Sequence, residues 1–245
     1  MRARGKRETI AEFRLNPDKS PIISAISYQK RDPLRASVFI GGEFAFGVQV
    51  ATIEQFRLRK GDELTASLLE ELRTFDAGVS AKRVASKFLN ARHRSRKEVE
   101  TKLAQQGYST EVIEATIKGL LSYGLIDDAA YASAFIHDKL LVKSASKREL
   151  ELLLKKKGIA KEIIASVVKD TGDDGSEEER ARRVAEKKWQ QVIRRETDAR
   201  KQRQKLYTFL ASRGFEHSLV KRVVSALSDE STEINDQEEG YETEF

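Results

Sequence analysis

One pattern in this chain constrains its fold more than any other. Ser95 and Glu98, three apart, are followed by Val99 and Leu103, four apart, and then by Gly107 and Tyr108. A Ser with a Glu three residues on is a capping box, which opens a helix by pairing orphan amides. Apolar residues four apart share one helix face, and Gly closes the helix where a left-handed residue is needed. Val112, Ile113 and Ile117 then mark the stripe of a second helix opening near Ser109 or Thr110. The pattern returns 51 residues later as Ser146, Glu149, Leu150, Leu154, Gly158, Ile159, Ile163, Ile164 and Val168. It returns again 56 residues after that as Gln202, Leu206, Leu210, Gly214, Phe215, Leu219, Val220 and Val224. Repeats at such periods predict stacked helical units, none of which buries its apolar face alone.

The rest of the chain falls around these copies. Residues 1–21 are polar, with Pro17 and Pro21, and read as a flexible arm. Residues 22–79 read as a small strand-and-helix module: a strand over 22–28, then runs at 36–40 and 43–48 separated by Gly41-Gly42, the signal for a tight hairpin. Short helices follow at 52–59, ended by Gly61, and at 67–75. Gly78-Val79-Ser80 marks the boundary to the repeats. A helix over 80–90, with Val84, Phe88 and Leu89, leads into the first copy. A helix over 129–142, capped by Asp and carrying Tyr131, Ala134, Phe135 and Leu141 inward, leads into the second. A third, opened by Ser176 and Glu179 and carrying Val184, Trp189 and Val192, leads into the last.

The expected organisation is therefore repeat 1 with the leading helix of repeat 2 over 80–142, repeat 2 with the leading helix of repeat 3 over 143–195, and repeat 3 over 196–228. Residues 229–245 read as an acidic disordered tail. The fold class is mainly α, with three tandem three-helix units in an elongated curved array, preceded by a small α+β module with a β-hairpin.

Charge follows the same division. Residues 80–228 hold 32 Lys/Arg against 20 Asp/Glu, whereas residues 229–245 hold eight Asp/Glu and no Lys/Arg. A basic helical array favours polyanions or acidic surfaces, although the plainer reading of such charge is a solvated face. The tail has two readings as well, a solubilising end, which is favoured, or a screen for the basic array. There is no cysteine, which removes disulfides and thiolate metal sites and suits a reducing cytoplasm. No run of 18 apolar residues is present to span a membrane.

No catalytic constellation emerges. His93, His137 and His217 occupy different offsets in their units and read as exposed helix residues. Gly42–Gly47 lacks the Lys-Ser/Thr of a phosphate loop. Gly172-Asp-Asp-Gly175 lacks calcium-ligand spacing. Asp127-Asp128 read as a helix cap rather than a paired acid and base. The chain is expected to be no enzyme and to carry no cofactor or metal.

Basic residues recur at the start of the Ser-to-Gly helices: Arg92, Arg94, Arg96 and Lys97 at the first, Lys143, Lys147 and Arg148 at the second, and Arg200, Lys201, Arg203 and Lys205 at the third. Phosphate oxygens would meet both cations and free helix amides there. Arg94, Arg96, Lys97, Lys147, Arg148 and Arg203 are the candidate contacts. No aromatic residue interleaves with them, so contact would be electrostatic and steeply salt-dependent.

The run Arg94-Ser95-Arg96-Lys97-Glu98-Val99-Glu100-Thr101-Lys102-Leu103, then Gly107-Tyr108, then Gly124-Leu125-Ile126-Asp127-Asp128-Ala129-Ala130-Tyr131-Ala132, resembles the RecX family of bacterial recombinase regulators. The resemblance covers residues 80–228. The hairpin region also looks like the N-terminal extension of the longer family members. It implies a monomeric cytoplasmic protein that binds the RecA–single-stranded DNA filament and modulates RecA, most often inhibiting strand exchange, ATP hydrolysis and co-protease activity. That places it in recombination control, DNA repair and the SOS response. The alternative is a sequence-nonspecific DNA-binding helical protein that acts by competing for DNA. A scaffold for an unrelated acidic protein is a third reading.

Overall fold

Gly41 and Gly42 have φ of 59° and 81°, the pair of positive values that a two-residue hairpin turn needs to match strand twist. They join strand β2 (Asp32–Ile40) to β3 (Glu43–Gln49), and β1 (Ile23–Gln29) pairs antiparallel with β2 to complete a sheet in the order β1-β2-β3. Opposed pairs such as Val38 and Phe46 place one face of the sheet in the core. The computed structural model describes residues 9–16, 21–142, 145–171 and 174–239. The chain divides into two compact units, 1–94 with 98–126, and 95–97 with 127–245.

In the first unit, helix α1 (Val50–Phe56) follows β3 directly. It ends one residue on, at Arg57, which adopts a left-handed φ of 51° in place of the expected stop at Gly61. Helix α2 (Ala66–Leu89) opens on Thr65, whose hydroxyl accepts from the Leu68 amide. α2 is one helix of 24 residues where the sequence suggested two with a break at Gly78. Gly78 takes no positive φ, and Leu69, Leu72, Asp76, Ala81 and Ala85 are buried along its length. Packing on both halves outweighs the Gly penalty of about 1 kcal/mol. α2 therefore serves both the sheet module and the helices that follow.

Part of the expected arm also belongs to this core. Ile10 is buried, Phe13 packs at a tilt against Phe46 with ring centroids 4.9 Å apart, and Arg73 Nε donates to the Ile10 carbonyl at 3.1 Å. The average polarity of residues 1–21 hides these two anchors. Residues 1–8 and 17–20 lie outside the described residues.

Asp76, buried at the centre of α2, accepts from the Gln49 amide at 2.6 Å and the Thr52 hydroxyl at 2.7 Å. It thereby ties the start of α1 to α2. Burial pushes its carboxyl above the ordinary value, and the two hydrogen bonds oppose that shift. A second cluster completes this unit: Ala81 and Ala85 of α2 pack with Val99, Leu103, Ile117 and Leu120, from α3 (Arg96–Gln105) and α4 (Thr110–Ser122). Gly107 at φ 82° closes α3, and Ser109 caps α4, as the sequence suggests.

The second unit has two such three-helix clusters. One gathers Tyr131, Ala132 and Ile136 of α5 (Asp128–Val142), Leu150 and Leu154 of α6 (Lys147–Lys156), and Ile164, Val167 and Val168 of α7 (Lys161–Lys169). On α5 the inward residues include Ala132 and Ile136, while Ala134 is exposed. α5 is apolar around so much of its circumference that sequence alone leaves its rotation ambiguous. The other cluster joins Ala181, Ala185 and Trp189 of α8 (Asp174–Ile193), Leu206 and Leu210 of α9 (Ala199–Ser212), and Phe215, Leu219, Val220 and Val224 of α10 (His217–Glu239). α8 begins at Asp174, ahead of the expected Ser176. α10 carries helical backbone to Glu239, past residue 229 where a structureless tail was expected. A helix already anchored by packing extends cheaply, because its nucleation is complete. Residues 240–245 of that tail and 172–173 of the Gly172–Gly175 loop lie outside the described residues.

Candidate nucleic-acid interface

The basic first turns of α3 and α6 are built around a joint that occurs twice in the second unit. Ser146 Oγ accepts from the Glu149 amide at 3.1 Å, the expected cap, and also donates to the carbonyl of Arg213 at 2.7 Å. Ser95 Oγ likewise donates to the carbonyl of Lys157 at 2.8 Å. In each case the opening Ser of one helix satisfies an orphan carbonyl at the end of the next helix of its type. The Gly that follows makes the approach feasible. A Cβ on Gly158 would fall on the Cβ and Cγ of Lys97, and one on Gly214 would lie 3.1 Å from Ser146 Oγ and 3.2 Å from Arg148 Cβ.

A carboxylate completes each joint. Asp128 Oδ1 accepts from the Arg96 amide at 2.8 Å, and Glu177 Oε1 accepts from the Lys147 amide at 3.0 Å. Asp127 and Asp128, adjacent in sequence, thus divide the work: Asp127 caps its own helix through the amides of Ala129 and Ala130, at 2.9 Å each. Asp128 and Glu177 were missed in the sequence because their partners lie 32 and 30 residues away. The third copy differs. α9 opens four residues early on Asp198, which accepts from the amides of Arg200 and Lys201. Gln202, at the Ser position, donates to the Glu196 carbonyl at 2.6 Å.

The expectation of free helix amides at these ends is thereby corrected. At all three first turns a carboxylate already receives main-chain N–H groups and occupies the positive end of the helix dipole. Any anion there would meet side chains first.

The six predicted residues fall into different settings. Arg94 is half-buried with its guanidinium 3.9 Å from the Phe88 ring centroid, a cation–π contact. Arg96 and Lys97 are exposed at the start of α3, the stem of Lys97 lying over Gly158. Lys147 is half-buried, with Nζ 3.8 Å from Glu177. It lines a groove with Arg148, Arg222, Glu151, Glu177 and Glu216, so the charge there is mixed. Arg148 and Arg203 are exposed. Lys143, from the wider basic set, lies outside the described residues. Of the six, the structure brings Lys147 and Arg148 into one groove.

His93, His137 and His217 are exposed. His93 precedes α3 rather than lying on a helix, and His217 Nδ1 is 2.7 Å from the Tyr207 hydroxyl. Among the described residues no group of three or more His, Asp or Glu side chains is placed to hold a metal ion, and no helix is long and apolar enough to cross a membrane.

Comparison with known proteins accounts for nearly the whole of this architecture. The RecX N-terminal domain matches residues 21–65, and the first, second and third RecX three-helix domains match residues 81–120, 127–168 and 176–224. A "Regulatory protein RecX" of Clostridium botulinum (strain Alaska E43 / Type E3) is 31% identical over 82% of this chain and 94% of its own length. Another, of Lactobacillus johnsonii (strain CNCM I-12250 / La1 / NCC 533), is 34% identical over 87% of this chain and 77% of its own length. The crystal structure of a regulatory protein RecX superposes with a TM-score of 0.68 at 26% identity, over 82% of this chain and 98% of that one. That of RecX from Lactobacillus salivarius, at 24% identity and a TM-score of 0.57 over 62% of this chain and 97% of that one, shares the fold. With its N-terminal domain, its three three-helix domains and relatives aligned along most of their length, this chain belongs to the RecX family.

Proposed function

We propose that this protein regulates the RecA recombinase by binding the RecA–single-stranded DNA filament as a monomer in the cytoplasm, and that it lowers RecA's strand exchange, ATPase and co-protease activities without chemistry of its own. The observation that carries the reading is the match of all four RecX domains together with relatives called Regulatory protein RecX. The charge fits it: the net excess of 12 Lys/Arg in residues 80–228 suits a polyanionic fibre. Several weak contacts along a repeating partner add into a firm hold, because each later contact is made at high effective concentration. Arg96, Lys97, Arg148 and Arg203, exposed at or near the starts of α3, α6 and α9, are the first candidates for those contacts.

The test is a titration of RecA's single-stranded-DNA-dependent ATPase. The rate should fall at or below equal amounts of this protein and RecA. An unchanged rate across the titration would overturn the proposal. Order of addition separates the alternative, competition for bare DNA: a competitor leaves a preformed filament active, whereas a filament-binding regulator inhibits it.

A further inference from the structure

A second concentration of positive charge lies away from the first turns of α3 and α6, between α8 and the start of α9. These helices enclose a cleft of about 580 Å³. Lys188 and Arg195 project from the α8 wall and its end, and Lys201 and Lys205 from α9, with Gln204 and Thr208 beside them. The one carboxylate in an ion pair with a lining cation among the described residues is that of Glu196, 2.7 Å from Lys205 Nζ. This contrasts with the groove at Lys147 and Arg148, where three glutamates share the surface. On α9, Lys201, Lys205 and Thr208 recur at helical spacing on one face. Lys201 and Lys205 are one turn apart, about 6 Å at 1.5 Å per residue.

The aromatic lining bears on what such a cleft recognises. Phe209 is among the lining residues, with Lys188 Nζ 5.3 Å and the Arg213 guanidinium 5.2 Å from its ring centroid. The ring is engaged by cations, so stacking a base on it would displace them. Cations in a row with neutral donors between them suit a ligand that carries regular negative charge and accepts hydrogen bonds at each unit. Proteins rarely present carboxylates in so regular a series, whereas a nucleic-acid backbone does so by construction.

We infer that the α8–α9 cleft of the third repeat is a binding site for the phosphodiester backbone of single-stranded DNA, held by Lys188, Arg195, Lys201 and Lys205 without regard to base sequence. It deepens the filament-binding reading by assigning the DNA contact to a site separate from the α3 and α6 first turns. Lys205 must exchange its ion pair with Glu196, 2.7 Å away, for a phosphate, which leaves Lys188, Arg195 and Lys201 as the principal contacts.

The test uses the full chain and a fluorescent oligo-dT, with anisotropy measured across a salt series. The triple variant Lys188→Gln, Lys201→Gln, Lys205→Gln should bind about tenfold or more weakly. Its log–log salt slope should be shallower by up to about 2, at roughly 0.7 per lost phosphate contact. A control triple of equal charge change on α6 and α7, Lys155→Gln, Lys156→Gln, Lys161→Gln, should stay within about twofold of the parent. The double variant Lys188→Gln, Lys201→Gln keeps the Lys205–Glu196 pair and should show an intermediate loss with an unchanged melting temperature. Equal losses in both triples, no loss in the cleft triple, or loss of polyglutamate binding with oligo-dT binding retained would each overturn the inference. The outcome is independent of the RecA assay: a parent protein that inhibits RecA while the cleft triple still binds oligo-dT fully removes only the cleft, and the converse result removes only the filament reading.

Discussion

Ser146 Oγ caps its own helix and, at 2.7 Å, donates to the carbonyl of Arg213 at the end of α9. One hydroxyl therefore satisfies an orphan amide in the second repeat and an orphan carbonyl in the third. The repeats are joined by a polar contact at the place where each helix would otherwise have unsatisfied main-chain groups. Ser146 is fully buried, so water cannot readily replace it.

Ser146→Ala should consequently cost more than an ordinary cap. Loss of the cap accounts for about 1 kcal/mol, and an unpaired buried carbonyl for about another 1–2 kcal/mol. Urea denaturation should show a loss of about 2–3 kcal/mol. Ser109→Ala, at the exposed cap of α4, should lose only the first part. Equal losses at the two positions would show that the contact with Arg213 contributes nothing.

The helices that carry this joint were legible in the sequence because their signals are local. Ser146 with Glu149 and Gly158, and Gly41 with Gly42, act over two to four residues of chain, and each does what its spacing implies. What escaped depends on tertiary packing. Gly78 reads as a break, but its helix is held on both sides of it. Arg57 ends α1 in a conformation that its residue type disfavours. Asp128 and Glu177 look like ordinary first-turn acids, and only the fold sets them against the amides of Arg96 and Lys147. The candidate cations were found as a recurrence in sequence, yet their carboxylate neighbours and the contact of Arg94 with Phe88 required coordinates.

The glycines provide a graded test. Gly107, Gly158 and Gly214 all have positive φ, near 80°, and each Ala substitution should cost about 1–2 kcal/mol for that reason alone. A Cβ on Gly107 meets nothing within 4 Å, one on Gly214 lies tightly against Ser146 and Arg148, and one on Gly158 overlaps Lys97. Melting temperatures should therefore fall in the order Gly107→Ala least, Gly214→Ala more, Gly158→Ala most. The Gly158→Ala loss should shrink in a Lys97→Gly background, where the overlapping atoms are gone.

Glu177 supplies a prediction about charge at the joint. It accepts from the Lys147 amide and is 9% exposed. Glu177→Ala should destabilise by about 1–3 kcal/mol, since it leaves a main-chain donor at a helix start without its acceptor. Glu177→Gln keeps an acceptor oxygen and should recover most of the loss. The remaining difference measures what the negative charge contributes at the positive end of α6.

The pH dependence of stability should carry the mark of Asp76. Its carboxyl is raised from the ordinary 3.8 by burial, against the opposing hydrogen bonds from Gln49 and Thr52. The folded state therefore holds this proton more tightly than the unfolded state. The stability it contributes is present below about pH 3.8 and is lost as pH rises through the higher folded value. Asp76→Asn keeps an oxygen able to accept both hydrogen bonds and has no charge to desolvate. Relative to the parent, it should gain melting temperature as the pH is raised from 3 towards 7, roughly the interval over which a raised carboxyl ionises. Asp76→Ala should lose about 2–3 kcal/mol at acid pH, because it strands the Gln49 amide and the Thr52 hydroxyl, and the loss should shrink as the pH rises and the parent's carboxyl ionises. A melting difference between Asp76→Asn and parent that stays flat with pH would show that the folded protein does not raise this carboxyl.

Arg94 should separate from the other candidate contact residues. Its guanidinium sits 3.9 Å from the Phe88 ring centroid and its Nε is buried, so much of its charge is spent within the first unit. Arg148 and Arg203 are exposed. Arg94→Ala should lower stability by about 1 kcal/mol, the scale of a partly buried cation–π contact, with Phe88→Leu giving a similar loss and the double variant little more. Such non-additivity is the signature of a direct pair. Arg148→Ala and Arg203→Ala should leave the melting temperature within about 0.5 kcal/mol of the parent, as surface substitutions do, while weakening attachment to RecA–single-stranded DNA filaments measured by co-sedimentation. Arg94→Lys preserves the charge but not the guanidinium's contact with the Phe88 ring. It should keep filament attachment and lose stability, whereas a contact residue would show the opposite.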